Sequence, residues 1–183
     1  MKITTSGGRV LLEREGNLEG AELSGLKLSD AHFAHESLVG ATLTGAILIG
    51  ANFDEADLSN ACLMDALMSG AFLMSAKCDN ANMRGADLYW ALGFQASFRG
   101  ADLTGADFRG ADLQEADFTG ASLEQANFGR DNLNGSTSVQ GANFSGTNLK
   151  TALLEGALYD SRTRFPEGFN PKTRGMILWG ESR

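Results

Sequence analysis

Proline and cysteine are nearly missing from this 183-residue chain, with 2 of each. Two cysteines at this length exclude a disulfide scaffold. No stretch approaches the roughly 18 consecutive apolar residues of a membrane span, so no membrane partner is expected. The opening, MKITTSGGRVLLEREG, has only the short apolar run Val10 to Leu12. That run is too short for a secretory signal, and a cytoplasmic location is the expectation. Positive charge is in deficit as well: 15 Lys and Arg stand against 23 Asp and Glu, a net charge of −8. Such a balance argues against direct nucleic acid binding and against an anionic membrane surface. It describes an acidic surface that would suit a basic partner.

What is abundant is glycine, with 23 residues, and a vocabulary of Ala, Asp or Asn, and Leu or Phe. Hydrophobic residues make up 43% of the chain, as in globular domains, and the length allows a sizeable core within about one domain. The stretch FRGADLTGADFRGADLQEADFTGA, Phe98 to Ala121, shows the organisation: Ala, polar, bulky apolar, any, any. With the bulky residue numbered i, the series runs every fifth position from Leu18 to Leu133. Its least typical members are Met68, Cys78, Met83 and Gly93. At i−2 every position from Ala41 to Ala126 is Ala.

A helix cannot use this period. Five residues at about 100° each advance a side chain by about 140°, which scatters the bulky residues around the cylinder. A flat strand fails too, because an odd period sends successive i residues to opposite faces. The pattern works if the chain turns a corner every five residues and keeps i and i−2 inside. That describes a β-solenoid whose stacked coils hydrogen-bond to one another. The i side chains fill the centre and leave room only for a methyl at i−2.

The pattern resembles the pentapeptide-repeat family, whose consensus is Ala-Asp/Asn-Leu/Phe-X-X. The resemblance spans residues 16 to about 159. It implies an all-β fold, a right-handed quadrilateral β-helix with four pentapeptides per coil. Four per coil gives about seven coils and a rod on the order of 34 Å long, without a groove or pocket. Phe98, Phe108, Phe118 and Phe128 would then face each other within a coil and stack between coils. Residues 1–15 are expected to cap the amino end through Ile3, Val10, Leu11 and Leu12. The repeat domain covers 16–159, and 160–183 form a tail that abandons the repeat and covers the other end. Tyr159, Phe165, Phe169, Met176, Ile177, Leu178 and Trp179 can supply that cover. The Thr163 to Pro171 stretch looks like tails of cyanobacterial members of the family.

Breaks in a repeat carry information. Gly16, Leu26 and Glu36 replace Ala at i−2 in the first coil. His32, His35 and Glu36 read as surface residues near a capped end, and no metal site is expected. At RDNLNGSTSVQGANF the frame slips by one residue, since Val139 follows Leu133, with Asp131 and Thr137 in Ala positions. This reads as a bulge that kinks one coil. At Gly93 the core position is empty, so either the backbone bulges or Leu92 or Phe94 turns inward.

Positions i−1, i+1 and i+2 face solvent and should be polar. Between 47 and 94 many are not: Ile47, Ile49, Met64, Leu67, Phe72, Met74, Tyr89, Trp90, Leu92 and Phe94. In a four-per-coil register, Leu67 lies over Ile47, Leu92 over Phe72 and Phe94 over Met74. With Met64 set aside, the others gather on two adjacent faces, and an exposed apolar cluster of that kind marks an interaction surface.

No catalytic constellation appears. Asp102, Asp107, Asp112 and Asp117 fall on four sides of a coil and form no carboxylate pair, while Cys62 points out and Cys78 in. The chain is therefore expected to be no enzyme and to need no cofactor. It reads as a protein-interaction module using the apolar edge for a protein partner or as a homo-oligomer. The resemblance implies an alternative, a DNA mimic that binds gyrase, as some family members do. Outward stacks such as Asp57, Lys77, Ser97 and Asp117 alternate in character and make no long acidic stripe.

Overall fold

The computed structural model describes residues 2–5, 7–13 and 16–180. Parallel bridges join i−1 residues twenty apart, as in Thr42 to Cys62, Cys62 to Asn82 and Asn82 to Asp102. Three further ladders of the same kind run through Ile47 and Leu67, Phe72 and Leu92, and Asp57 and Lys77. Four pentapeptides therefore complete one coil, and the fold is a right-handed quadrilateral β-helix. Each coil bonds in both directions. Thr42 N donates to Ala21 O at 2.9 Å, and Leu43 N donates to Cys62 O at 2.7 Å.

The corner explains the abundant glycine. Ala46 N donates to Leu43 O at 3.0 Å, closing a turn whose third residue, Gly45, has φ 62°. That left-handed conformation recurs at i+2 along the rod, and glycine adopts it without steric cost. The corner also explains the consensus acid. Asp57 Oδ1 accepts from Ser59 N at 3.0 Å, Asp87 Oδ1 from Tyr89 N at 3.0 Å and Asp117 Oδ1 from Thr119 N at 2.9 Å. The i+1 N–H has no place in the ladder, and an Asp or Asn two residues earlier satisfies it. Asn52 and Asn143 do the same for Asp54 N and Ser145 N.

The core is a column of fully buried Ala and bulky residues. Phe98 and Phe144 stack on either side of Phe118 at 5.0 Å each, and Phe108 stacks on Phe128 at 4.9 Å. Across the coil Phe118 meets Phe108 and Phe128 edge-on, at 6.0 and 5.8 Å. Gly93 neither bulges nor draws a neighbour inward. Gly93 N donates to Asp112 O at 2.7 Å, Leu92 stays 43% exposed, and a Cβ at Gly93 would meet Leu113 Cδ2 at 3.0 Å. Leu113, from the next coil, reaches into the space.

The break after Phe128 is larger than a one-residue slip. Asp107 still pairs with Asn127, but Asp112 pairs with Ser138 and Asp117 with Asn143. The coil thus loops out a pentapeptide and one residue more. Leu133 is 73% exposed and lies in this loop, while Val139 takes the buried place above Leu113. Thr137 replaces an Ala without leaving a polar orphan. Its hydroxyl donates to Phe108 O at 2.9 Å or to Gly129 O at 3.1 Å and accepts from Gly110 N at 3.1 Å.

At the amino end, β1 (Lys2–Thr4) and β2 (Val10–Glu13) form an antiparallel hairpin. Ile3 is buried, and His32 N donates to Thr4 O at 2.7 Å, so the hairpin continues the ladder. Val10 is exposed rather than covering the core, and the side chain of Leu12 lies outside the described residues. Leu26 is exposed and Glu36 half-buried, so neither is enclosed in the core, and His35 pairs with Glu55 at 3.3 Å. At the other end the tail keeps winding. Arg164 bridges to Asn143, Phe165 stacks on Phe144 at 5.8 Å, and β3 (Leu158–Tyr159) pairs in parallel with β4 (Ile177–Leu178). Trp179 is 64% exposed and supplies little of that end's cover.

The two thiols test the inward and outward assignment. Cys62 is half-buried, with Sγ 3.2 Å from Thr44 Oγ1. Cys78 is fully buried, and burial pushes its thiol well above the usual range. Since the thiolate is the reactive form, a thiol reagent is expected to label Cys62 in the native protein and Cys78 only on unfolding. Equal rates in native buffer would contradict the placement.

Candidate interaction surface

The four-sided coil places side chains by simple rules. Residues i−1 and i+1 project from a side, and i+2 projects from the following corner. Ile47 and Leu67 are ladder partners on one side, and Phe72 and Leu92 on the next. Ile49 and Tyr89 lie at i+1 of the first side, Met74 and Phe94 at i+1 of the second, and Trp90 at the corner between them. All nine expected residues thus come together around one edge. Met64 lies on the preceding side and stands apart.

Ile49, Leu67, Phe72, Met74, Trp90 and Leu92 are each at least two-fifths exposed, and Ile47, Tyr89 and Phe94 are half-buried. This edge departs from the repeat at some energetic cost. At Ile47, Leu67, Phe72 and Leu92 an apolar side chain stands where Asp or Asn would accept the i+1 N–H. Met74 N recovers a partner in Asp54 Oδ1, at 2.9 Å from the coil before. No hydrogen bond satisfies Phe94 N among the described residues. Each forgone bond is worth about 1 kcal/mol.

Trp90 adds a contact that sequence spacing did not suggest. Its φ is 57°, unusual for a bulky residue, and its ring stacks on Tyr89 at 5.5 Å. Trp90 Nε1 donates to Asp131 Oδ2 at 2.6 Å, and Asp131 Oδ1 accepts from Leu133 N at 2.8 Å and Gly135 N at 2.5 Å. One carboxylate thus holds the looped-out segment against the apolar edge. A ring over the coil surface is possible because Gly110, one coil on, has no Cβ where the indole lies.

The Trp90 indole, followed by the Gly135 and Leu133 amides, holds the Asp131 carboxyl below the usual carboxylate range. Its bonds therefore stabilise the loop fully above the ordinary value of about 3.9 and fail as pH falls through the lower folded value. In a Trp179→Phe background, Trp90 emission should stay constant above pH 5 or so and change below about pH 4. Asp131→Asn should remove the acid transition. An unchanged transition would reject the latch.

The rod is not free of concavity. An open depression of about 560 Å³ lies beyond the apolar edge, with Arg109, Arg130, Leu153 and Arg174 in its wall. It forms where the loop base and the tail rise beside the side that carries Ile47 and Leu67. Among the described residues, no group of three or more His, Cys, Asp or Glu is placed to hold a metal ion, and no helix is long and apolar enough to cross a membrane.

A family model for pentapeptide repeats matches residues 37–73, 55–89 and 94–130. Among solved structures, the chain is similar to HetL, a pentapeptide repeat protein involved in heterocyst differentiation regulation from the cyanobacterium Nostoc sp. strain PCC 7120. The identity is 31%, over 86% of this chain and 76% of that one, with a TM-score of 0.63. A pentapeptide repeat protein of the Arabidopsis thaliana thylakoid lumen is 37% identical over 51% of this chain and 65% of its own, with a TM-score of 0.50. QnrB1, a plasmid-mediated fluoroquinolone resistance protein, superposes with a TM-score of 0.74 over 87% of this chain and 80% of its own. Its identity is 18%, which speaks to the fold alone. No curated protein matches the chain by sequence.

Proposed function

The chain belongs to the pentapeptide-repeat family, and on that premise we propose that it is a non-enzymatic binding rod whose apolar edge docks a protein surface. A second copy of the chain is the simplest occupant, because a two-fold axis sets a patch against itself. The observation that carries the reading is the loss of the corner acceptor at Ile47, Leu67, Phe72 and Leu92. A solenoid under selection for stability alone would keep Asp or Asn there, so the apolar side chains serve something outside the coil.

Mimicry of DNA finds less support. Asp102 is paired with Arg84 at 3.2 Å, Asp117 with Arg99 at 2.8 Å, and Asp107 with Arg109 at 2.6 Å. The repeat acids are also spent on corner N–H groups. Three repeat acids, on three different sides of the rod, are thus paired with arginine, which interrupts any continuous track of free negative charge.

The test is Phe72→Asn with Leu92→Asn, substitutions that place the family's own acceptor at both positions. The double variant is expected to lose self-association in light scattering. Its folded state should be as stable as wild type, or more stable by about 1 kcal/mol, since the Asn at 92 can accept from Phe94 N. A wild type that is monomeric at all concentrations would reject the second copy as occupant. Association unchanged in the variant would reject the edge.

A further inference from the structure

Arg109, Arg130 and Arg174 reach the depression from three separate parts of the chain: a coil side, the base of the loop and the tail. Two of them are tethered. Arg109 Nε and Nη2 donate to the Asp107 carboxylate, and its guanidinium lies 5.7 Å from the Tyr89 ring centre. Arg174 donates to Leu149 O at 3.0 Å and Ala152 O at 2.8 Å. Those bonds occupy only part of each fork, since a guanidinium carries five N–H donors.

Arg130 differs. It is half-buried, and among the described residues it makes no hydrogen bond or ion pair. Its stem lies across Gly156, where any side chain would collide with Arg130 Nε and Cγ. The glycine thus seats a guanidinium whose donors are all unspent. Among the described residues, Glu155 is the one acid in the wall, against three guanidinium groups, and it is exposed. Leu153, 57% exposed, supplies an apolar contact beside them.

We propose that this depression binds an acidic segment of a protein partner, with carboxylates on the arginines and an aliphatic side chain on Leu153. A planar guanidinium matches a carboxylate in two parallel bonds, which suits Arg130 with its free fork. The site is open and half apolar, whereas small free anions are generally held in enclosed sites. With a net charge of −8, the surrounding surface disfavours a polyanion such as nucleic acid and leaves only a local basic spot. The site lies past Tyr89 on the side that carries Ile47 and Leu67, so a docked partner can reach it from the apolar edge, but the two need not be occupied together.

The experiment is fluorescence anisotropy with a fluorescein-labelled peptide of alternating Glu and Leu, and a Lys–Leu peptide as control. Wild type should bind the acidic peptide and not the basic one, more weakly as salt rises. Arg130→Gln should weaken binding about tenfold or more, and Arg130→Lys should retain more of it. The Phe72→Asn, Leu92→Asn variant should bind the peptide as wild type does, which separates this site from the edge. No binding by wild type, equal binding by Arg130→Gln, or binding of inorganic phosphate without the peptide would each overturn the proposal. Unchanged melting of Arg130→Gln is expected, because among the described residues no bond depends on that side chain.

Discussion

Phe118→Ala is expected to destabilise the rod by about 3–5 kcal/mol. Phe118 is fully buried and has ring contacts on four sides: stacked on Phe98 and Phe144, edge-on to Phe108 and Phe128. Truncation removes the ring's burial and leaves a cavity in the middle of the column. Collapse into that cavity is restricted, because the parallel ladders hold the spacing of the coils. The loss should appear in urea melts as a lower midpoint with little change in slope. Solenoid units are also coupled to their neighbours, so a weakened central coil can split the transition into two. A cost under about 1 kcal/mol would mean that the phenylalanine column does not carry the core.

Ala106→Leu tests the opposite error, too much volume. Ala106 is fully buried, and its carbonyl accepts from Asn127 N at 2.9 Å, so the backbone cannot move outward without breaking the ladder. Overpacking costs about 1–3 kcal/mol, and more where the backbone is held on both sides, as here. The control is Asp112→Asn, which keeps an oxygen for Gln114 N, at 3.2 Å from the present carboxylate. It should be nearly silent. Thermal melts that tolerate both substitutions equally would overturn the assignment of i−2 to the inside.

Much of this architecture is readable in one dimension because a repeat states its rule many times. Ala at i−2 and a bulky residue at i leave few ways to fold, and Phe33 on Phe53, at 4.9 Å, sits where the register puts it. The nine residues of the apolar edge are readable by the same arithmetic, since a partner twenty residues away is a neighbour in space. The consensus Asp is harder. From sequence it looks like surface charge, and only the corner geometry shows it serving a backbone N–H.

The misreadings fall where the rule stops. Leu133 has the right spacing for the core, yet the chain loops it out and lets Val139 take the buried place. That choice depends on Thr137, whose hydroxyl accepts from Gly110 N and donates to Phe108 O or Gly129 O, and on Asp131, which gathers Trp90, Leu133 and Gly135. Gly93 is similar, since its gap is filled from the next coil. The tail has no pentapeptide spacing from which to read its path, and the structure shows it continuing the ladder, with Phe165 stacked on Phe144.

The sequence by itself determined the period, the inside and outside of the coil and the edge that breaks the polar rule. Those follow from local geometry repeated many times. Tertiary structure alone decided which residues fill the gaps, how the loop is latched to Trp90, and that three arginines far apart in sequence share one depression. Each of these joins segments with no fixed spacing, and their energies come from contacts that exist only once the coils are stacked.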